Sequence, residues 1–168
     1  MVIYAYRGDH KNISADLLKR AVKAHERENK TPPGAVLYHS ISHTGDLWGC
    51  LISTLRVGFD LQEKRAVDHN GLAERFFLGE EALYVRENGV DGFYDVWTRK
   101  EACVKYFRTG LMKDIKSFSV VSGGRLSERV EHNGSLCFVN SFEFSEGIRC
   151  AYCSEEKRAI PKIIERGL

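Results

Sequence analysis

The sequence predicts an α+β protein made of two similar halves, each combining strands with a helix. Two observations carry this prediction. Runs of β-branched and aromatic residues alternate with segments of helical spacing, and Gly- or Pro-containing turns separate them. The 168 residues suit one compact domain. We place a first lobe at about 1–65, a second lobe at about 66–155 and a peripheral tail at 156–168.

The individual elements follow from local patterns. Strands are expected at 2–6, 36–41, 48–55, 57–61, 117–121, 136–144 and 148–153. A first helix is expected at 14–29, capped by Asn12 or Ser14. Helical spacing across 72–87 stops at Asn88-Gly89, and a third helix at 94–108 ends at Gly110.

Charge is distributed unevenly along the chain. Residues 1–34 carry seven Lys/Arg against four Asp/Glu, residues 99–116 carry six against two, and residues 60–95 carry four against nine. This pattern suits a polyphosphate ligand with a cation, although ordinary surface solvation remains open. No basic stretch is interleaved with aromatic residues in a known nucleic-acid module, so no nucleic-acid partner is expected.

Composition also bears on location and on the cysteines. No apolar run reaches the roughly 18 residues that span a bilayer, so we expect no membrane partner and a cytoplasmic protein. The five cysteines are expected as reduced thiols. Cys150 and Cys153 have the spacing of a metal-binding pair, but a strand of buried small hydrophobic residues is the favoured interpretation, and we do not predict zinc.

Three segments concentrate polar residues. In 58–62, strand alternation places Asp60 and Gln62 on one face and turns the residues between them into the core. In 97–105, helical spacing places Glu101 beside Lys105. Carboxylates suit a hard divalent cation, and lysines nearby, Lys100 among them, suit phosphate oxygens. Two structural alternatives remain open: Asp60 as a strand-end carboxylate that caps a neighbouring backbone or pairs with Arg65, and an ordinary surface Glu101–Lys105 pair.

The third segment, at 40–45, is a strand end where backbone N–H groups and the imidazole of His43 can face an anion. A structural role for this histidine is equally compatible with the sequence. These polar segments, together with one further segment at 73–77, carry a family resemblance. In chain order the four segments are Ser40-Ile-Ser-His-Thr-Gly45, Val57-Gly-Phe-Asp-Leu-Gln62, Ala73-Glu-Arg-Phe-Phe77 and Trp97-Thr-Arg-Lys-Glu-Ala-Cys-Val-Lys105. In this order they resemble the motifs of 4′-phosphopantetheinyl transferases of the surfactin-synthetase-activating type.

The resemblance implies a function and a fold. It implies two similar α/β lobes with pseudo-twofold symmetry and a ligand cleft between them, acting as a monomer. It also implies Mg²⁺-dependent transfer of the 4′-phosphopantetheine arm from coenzyme A to a serine of an apo acyl or peptidyl carrier protein. Two alternatives stay open: a catalytically silent relative that binds carrier protein or nucleotide, and a metal-dependent nucleotide phosphohydrolase.

The resemblance also assigns residues. Asp60, Gln62 and Glu101 match the positions of the metal ligands, and Asp60, Glu101 and Lys105 match the catalytic positions. Residues expected at coenzyme A are Lys30, Pro32, Ser42, His43, Lys100 and Lys105. Two features depart from the family: Gln62 is neutral where many members have an acid, and the N-terminal region is short, which leaves Arg7 and Lys11 as substitutes for contacts to the 3′-phosphate.

Overall fold

The computed structural model describes residues 1–29, 31–32, 34–109 and 115–165. Within these ranges the predicted α+β class is confirmed. The helices are α1 (Ser14–Glu28), α2 (His69–Phe76) and α3 (Gly79–Phe107). The strands are β1 (Val2–Arg7), β2 (Tyr38–Thr44), β3 (Leu47–Ser53), β4 (Val57–Glu63), β5 (Val121–Ser122), β6 (Arg125–Leu126), β7 (Arg129–His132), β8 (Ser135–Ser145), β9 (Ile148–Ser154) and β10 (Lys162–Glu165).

Two four-stranded sheets organise the molecule. The first sheet has the order β10-β1-β3-β2 and the second β4-β9-β8-β7, and β5 and β6 form a separate short hairpin. All pairs are antiparallel except β1 with β10. Helix α1 covers the first sheet through Leu17, Ala21 and Ala24, whereas α3 covers the second sheet. No helix of the described ranges is both long enough and apolar enough to cross a bilayer.

A row of side-chain hydroxyls joins the two sheets. β2 lies beside β4, but its hydroxyls, not its backbone, meet the β4 backbone. The amide of Phe59 donates to Ser40 Oγ (2.9 Å), that of Leu61 to Ser42 Oγ (3.3 Å) and that of Glu63 to Thr44 Oγ1 (3.1 Å). Alternate residues of a strand share a face, so three hydroxyls two residues apart can accept hydrogen bonds from alternate amides of a neighbouring strand. We call this contact the hydroxyl seam.

Helix α3 packs closely across β4. Gly58 permits the approach, because a Cβ there would overlap the carbonyl oxygen of Ala102 and lie 2.7 Å from the amide nitrogen of Tyr106. Trp97 anchors the other side of the helix, with its ring 5.8 Å from that of Phe93 and 6.1 Å from that of Phe77. This close approach determines the distance between β4 and the part of α3 that contains Ala102 and Tyr106.

Several details differ from the sequence-based expectations. Gly89 has a non-helical backbone conformation (φ 62°, ψ −142°) that divides α3 into two helical segments, so the predicted stop at Asn88-Gly89 is confirmed. The second segment begins directly after this kink, earlier than the predicted start at 94. Neither Asn12 nor Ser14 caps α1: Ile13 holds that position, and Ser14 Oγ accepts a hydrogen bond from Trp48 Nε1 (2.9 Å). The predicted end of the third helix at Gly110 lies outside the described residues.

Sheet membership also differs from the predicted lobe boundaries. β4 lies within the expected first lobe, yet it pairs with β9 of the second sheet. The tail contains β10, which pairs with β1, so this part of 156–168 belongs to the first sheet. The expected strand at 117–121 is absent except for Val121, and β7 had not been predicted.

Candidate active site

Asp60 is a buried acid in the middle of β4, with 1% of its surface exposed. Its Oδ1 accepts hydrogen bonds from Ser42 Oγ (2.6 Å) and Lys105 Nζ (2.8 Å), and its Oδ2 accepts one from Gln62 Nε2 (3.2 Å). A buried carboxylate needs such partners to remain charged. Arg65, the alternative partner considered above, pairs with Glu63 instead (2.9 Å).

Glu101 approaches Asp60 from α3. Its side chain is only partly exposed, and its pKa is raised from 4.5 to about 7. Burial is the main cause and the charge of Asp60 adds to it, while Lys105 acts in the opposite direction. Two carboxylates from different elements therefore share one partly desolvated space, and one of them titrates near neutral pH.

Lys105 joins the two carboxylates. Its Nζ donates to the carbonyl oxygen of Phe59 (2.9 Å) as well as to Asp60, and 29% of its side chain is exposed. Helical spacing left an ordinary surface pair with Glu101 open as an alternative for this lysine. The ammonium instead reaches across to β4, and its charge acts on both acids. It is thus the counter-ion of the cluster and is accessible from one side.

The donor atoms of this cluster fit a hard divalent cation. Asp60 and Glu101 offer carboxylate oxygens, and Gln62 extends an amide from the same strand face. Burial raises the pKa of Glu101 and the charge of Asp60 adds to this effect, so a cation held between the two carboxylates would favour the ionised form of Glu101. Oxygen ligands, with water filling further positions, suit such an ion.

A cavity lies beside the end of β2. Its volume is about 410 Å³, and its lining residues are His10, Lys11, Ser14, His43 and Gly45. The rings of His10 and His43 are 5.2 Å apart, and His10 Nε2 lies 3.3 Å from the carbonyl oxygen of Gly45. One ammonium and two imidazoles thus face a common space, which suits an anionic ligand.

A second cavity lies at the start of β2. Its volume is about 210 Å³, and its lining residues are Leu37, Tyr38, His39, Arg56, Val57, Lys105 and Arg108. Arg56 lies 4.8 Å from the centre of the Tyr106 ring, and within the described ranges its buried Nε has no hydrogen-bond partner. This cavity is strongly basic and borders Lys105 directly.

Lys100 is placed differently from the expectation that it contacts coenzyme A. Its side chain is fully buried, and its Nζ pairs with Glu81 (2.9 Å). The same ammonium donates to the carbonyl oxygens of Ile115 (2.5 Å) and Phe118 (2.7 Å). Lys100 therefore ties α3 to the segment after it, and we do not carry it forward as a ligand-binding residue.

Three other residues expected at coenzyme A differ in where the structure places them. Ser42 lies at the cluster, where its hydroxyl donates to Asp60. Pro32 is exposed, and its carbonyl oxygen accepts a hydrogen bond from the Ala35 amide (3.1 Å). Lys30 lies outside the described residues. Arg7 is engaged with Glu165 (3.0 Å), so Lys11 is the better placed of the two suggested substitutes.

Sequence reasoning missed His10 and Arg56 as cavity residues. His10 follows β1 and Arg56 precedes β4, and neither residue lies in a recognisable motif. His10 comes near His43 because β3 lies between β1 and β2, and Leu47 of β3 pairs with both Arg7 and Thr44. Its neighbour Lys11 had been considered on charge alone, which was the one available signal.

Comparison with known proteins assigns this arrangement to a family. The 4′-phosphopantetheinyl transferase superfamily matches residues 56–153, more than half of the chain. The chain belongs to this superfamily. The matched region includes Asp60, Glu101 and Lys105, and the resemblance inferred from the four motifs is confirmed at this level.

Individual members of the superfamily are similar over most of this chain. The 4′-phosphopantetheinyl transferase Sfp of Bacillus subtilis (strain 168) is 27% identical over 123 residues, which cover 70% of this chain and 54% of Sfp. The transferase gsp of Aneurinibacillus migulanus is 27% identical over 123 residues, covering 70% and 52%. The transferase psf-1 of Bacillus pumilus is 24% identical over 128 residues, covering 73% and 54%. The matched region thus spans about half the length of these relatives.

Proposed function

We propose that this chain transfers the 4′-phosphopantetheine arm of coenzyme A to a serine of an apo acyl or peptidyl carrier protein and releases 3′,5′-ADP. The observation that carries the proposal is the cluster of Asp60, Glu101 and Lys105, in which two acids and one accessible ammonium from two elements meet. Membership of the superfamily and the names of the similar transferases support the reaction class.

Mg²⁺ is the proposed cofactor. Asp60 and Glu101 would hold it, with the Gln62 amide oxygen or water completing the shell. When bound, Mg²⁺ supplies positive charge to the pyrophosphate. Lys105 Nζ donates to Asp60 Oδ1, and with Mg²⁺ at that carboxylate the same ammonium would be free to bind phosphate oxygens.

The proposed chemistry is a phosphoryl-type transfer. The carrier serine Oγ forms a bond to the pantetheine-side phosphorus, the bond from this phosphorus to the bridging oxygen breaks, and 3′,5′-ADP leaves with the electron pair. Ionised Glu101, directly or through a water, accepts the serine proton. Lys105 and His43 offset the charge on the leaving group.

The cavities suggest how coenzyme A lies. The cavity with His10, Lys11 and His43 suits the 3′-phosphate, because one ammonium and two imidazoles line it. The two sheets correspond in our proposal to two lobes with pseudo-twofold symmetry, and the ligand occupies a cleft along the hydroxyl seam. One domain then carries the whole site and acts as a monomer.

The test is carrier modification. Purified protein is incubated with coenzyme A, Mg²⁺ and a panel of apo carrier proteins, and mass spectrometry measures the gain of the phosphopantetheine arm. A gain on at least one carrier is expected, and chelation of Mg²⁺ should abolish it. Release of phosphate from coenzyme A without an acceptor would indicate a phosphohydrolase instead. Tight carrier binding without any gain would indicate a silent relative.

Substitution of Glu101 connects the activity to the site. Glu101→Gln should lower the transfer rate by about 100-fold or more, since it removes a proton acceptor and a charged ligand. The matched control is Glu87→Gln, an exposed glutamate of the same helix, which should leave the rate unchanged. Equal rates for the two variants would refute the assignment of Glu101.

A further inference from the structure

Three of the five cysteines meet in the core between α3 and the second sheet. Cys103 comes from α3, Cys137 from β8 and Cys153 from β9, and each is fully buried. Cys103 Sγ lies 3.9 Å from Cys137 Sγ and 3.4 Å from Cys153 Sγ. All three sulfur atoms lie within 4.8 Å of one another. Three separate elements thus direct their thiols to one point.

The spacing of the sulfur atoms matches a trigonal metal site. A metal–sulfur bond of about 2.3 Å places the corners of a trigonal plane about 4 Å apart. The observed separations of 3.4 and 3.9 Å are close to that value, so an ion at the centre requires only small side-chain movements. In the described ranges, no His, Asp, Glu or further Cys completes the group as a fourth ligand.

We propose that Cys103, Cys137 and Cys153 form a binding site for one cuprous ion. Soft thiolate sulfur selects Cu(I), Zn²⁺ and iron–sulfur clusters among biological metals. Structural Zn²⁺ takes four ligands in almost every case, and iron–sulfur clusters also use four cysteines. A closed site with three sulfur atoms and no fourth ligand among the described residues therefore favours a monovalent ion of low coordination number.

The surrounding charges suit such a complex. One Cu(I) and three thiolates carry a net charge of −2, and the three protons are released to solvent. Burial lowers the pKa of Arg99, and Asp95, Cys103 and Cys153 oppose that effect, so this guanidinium interacts with the cluster. The charge of Arg56 likewise acts on Cys137. Two cations therefore lie close enough to offset the charge of the complex.

The remaining cysteines provide a matched control. Cys50 is fully buried on β3, in the core under α1, and does not belong to the three-sulfur group. Cys50→Ala changes a buried thiol as Cys103→Ala does, without touching the proposed site. The sulfur atoms are buried, so metal must enter while the chain folds.

The experiment is anaerobic refolding of the whole chain with one equivalent of Cu(I) and excess glutathione, followed by metal analysis and copper X-ray absorption. We expect about one copper per chain and three sulfur neighbours at about 2.3 Å. Cys103→Ala, Cys137→Ala and Cys153→Ala should each lose the copper, whereas Cys50→Ala should keep it.

Three results would overturn the proposal: no copper retained by the wild-type chain, copper retained by a variant lacking all three cysteines, or zinc retained in preference to copper. Circular dichroism shows whether each alanine variant folds. If the variants do not fold, X-ray absorption on the wild-type complex tests the proposal by itself. Two or four sulfur neighbours of the copper ion would contradict a three-thiolate site. Transfer activity is not part of this readout, so the two proposals fail independently.

Discussion

At the scale of single residues, the central feature is the conflict between two neighbouring acids. Asp60 is satisfied by three side-chain donors, whereas Glu101 has its pKa raised to about 7, chiefly by burial and secondly by Asp60. The folded protein therefore favours a protonated Glu101 below neutral pH. A site adapted to stability alone would not place a second acid here.

This conflict predicts a pH-dependent stability. The pKa of Glu101 is higher in the folded than in the unfolded chain, so its protonated form stabilises the fold. That contribution is complete below pH 4.5, falls as the pH rises and is lost above about 7. A shift of this size corresponds to at most about 3 kcal/mol. Urea unfolding from pH 4 to 8 should show this loss in the wild type and a smaller one in Glu101→Gln. The same pH dependence of the unfolding free energy in the wild type and in Glu101→Gln would contradict the prediction.

Part of the residue-scale site could be predicted from sequence. Strand alternation correctly placed Asp60 and Gln62 on one face, because period-two geometry is local. The burial of Lys100 could not be read from its helix, because its partner Glu81 precedes it by 19 positions, across the kink at Gly89. A lysine in a charged segment appears solvent-exposed until its distant partner is known.

At the scale of secondary structure, the contact between α3 and β4 sets the distance between the two acids. Gly58→Ala should destabilise the fold by about 3 kcal/mol, because the added methyl group would overlap the helix backbone. It should also lower the transfer rate, since α3 carries Glu101 and would be displaced. Thermal unfolding and the carrier assay measure the two effects. Gly79→Ala, whose added methyl group meets nothing within 4 Å, is the control and should be neutral.

The hydroxyl seam offers a second test at this scale. Ser40→Ala should destabilise the fold by about 1–2 kcal/mol, because it leaves the buried amide of Phe59 without its acceptor. Thr44→Val removes the equivalent bond to the exposed Glu63, where water can replace the hydroxyl, so it should have a smaller effect. Equal losses in urea unfolding would show that the seam bonds do not depend on burial.

Some elements could not be predicted, because side chains compete for their backbone. Residues 117–121 alternate as a strand should, but the amide of Val120 donates to Glu81 Oε1 (2.9 Å) and that of Val121 to Ser119 Oγ (3.1 Å). These bonds replace a sheet ladder. β10 was not predicted because its local sequence gives no strand signal: two isoleucines stand between a lysine and a glutamate. Its pairing with β1, which is distant in sequence, makes it a strand.

At the scale of the whole molecule, one chain supplies every residue of the acid cluster. We therefore predict that mixing the inactive variants Asp60→Asn and Glu101→Gln will not restore transfer. Activity would return only if the two acids of one site came from different subunits, because only then could a mixed dimer contain one intact pair. The carrier assay on the mixture, together with light scattering for the mass in solution, distinguishes these cases. Recovery would overturn the monomer proposal.

The hydroxyl seam has a further consequence for how the chain behaves in a crowded solution. β2 and β4 are each the last strand of a sheet, and an uncovered edge strand can recruit strands from other molecules and lead to aggregation. By placing these two edges against each other, the seam protects both at once. The hydroxyls that position Asp60 thereby also help to keep the sheets from pairing with those of other chains.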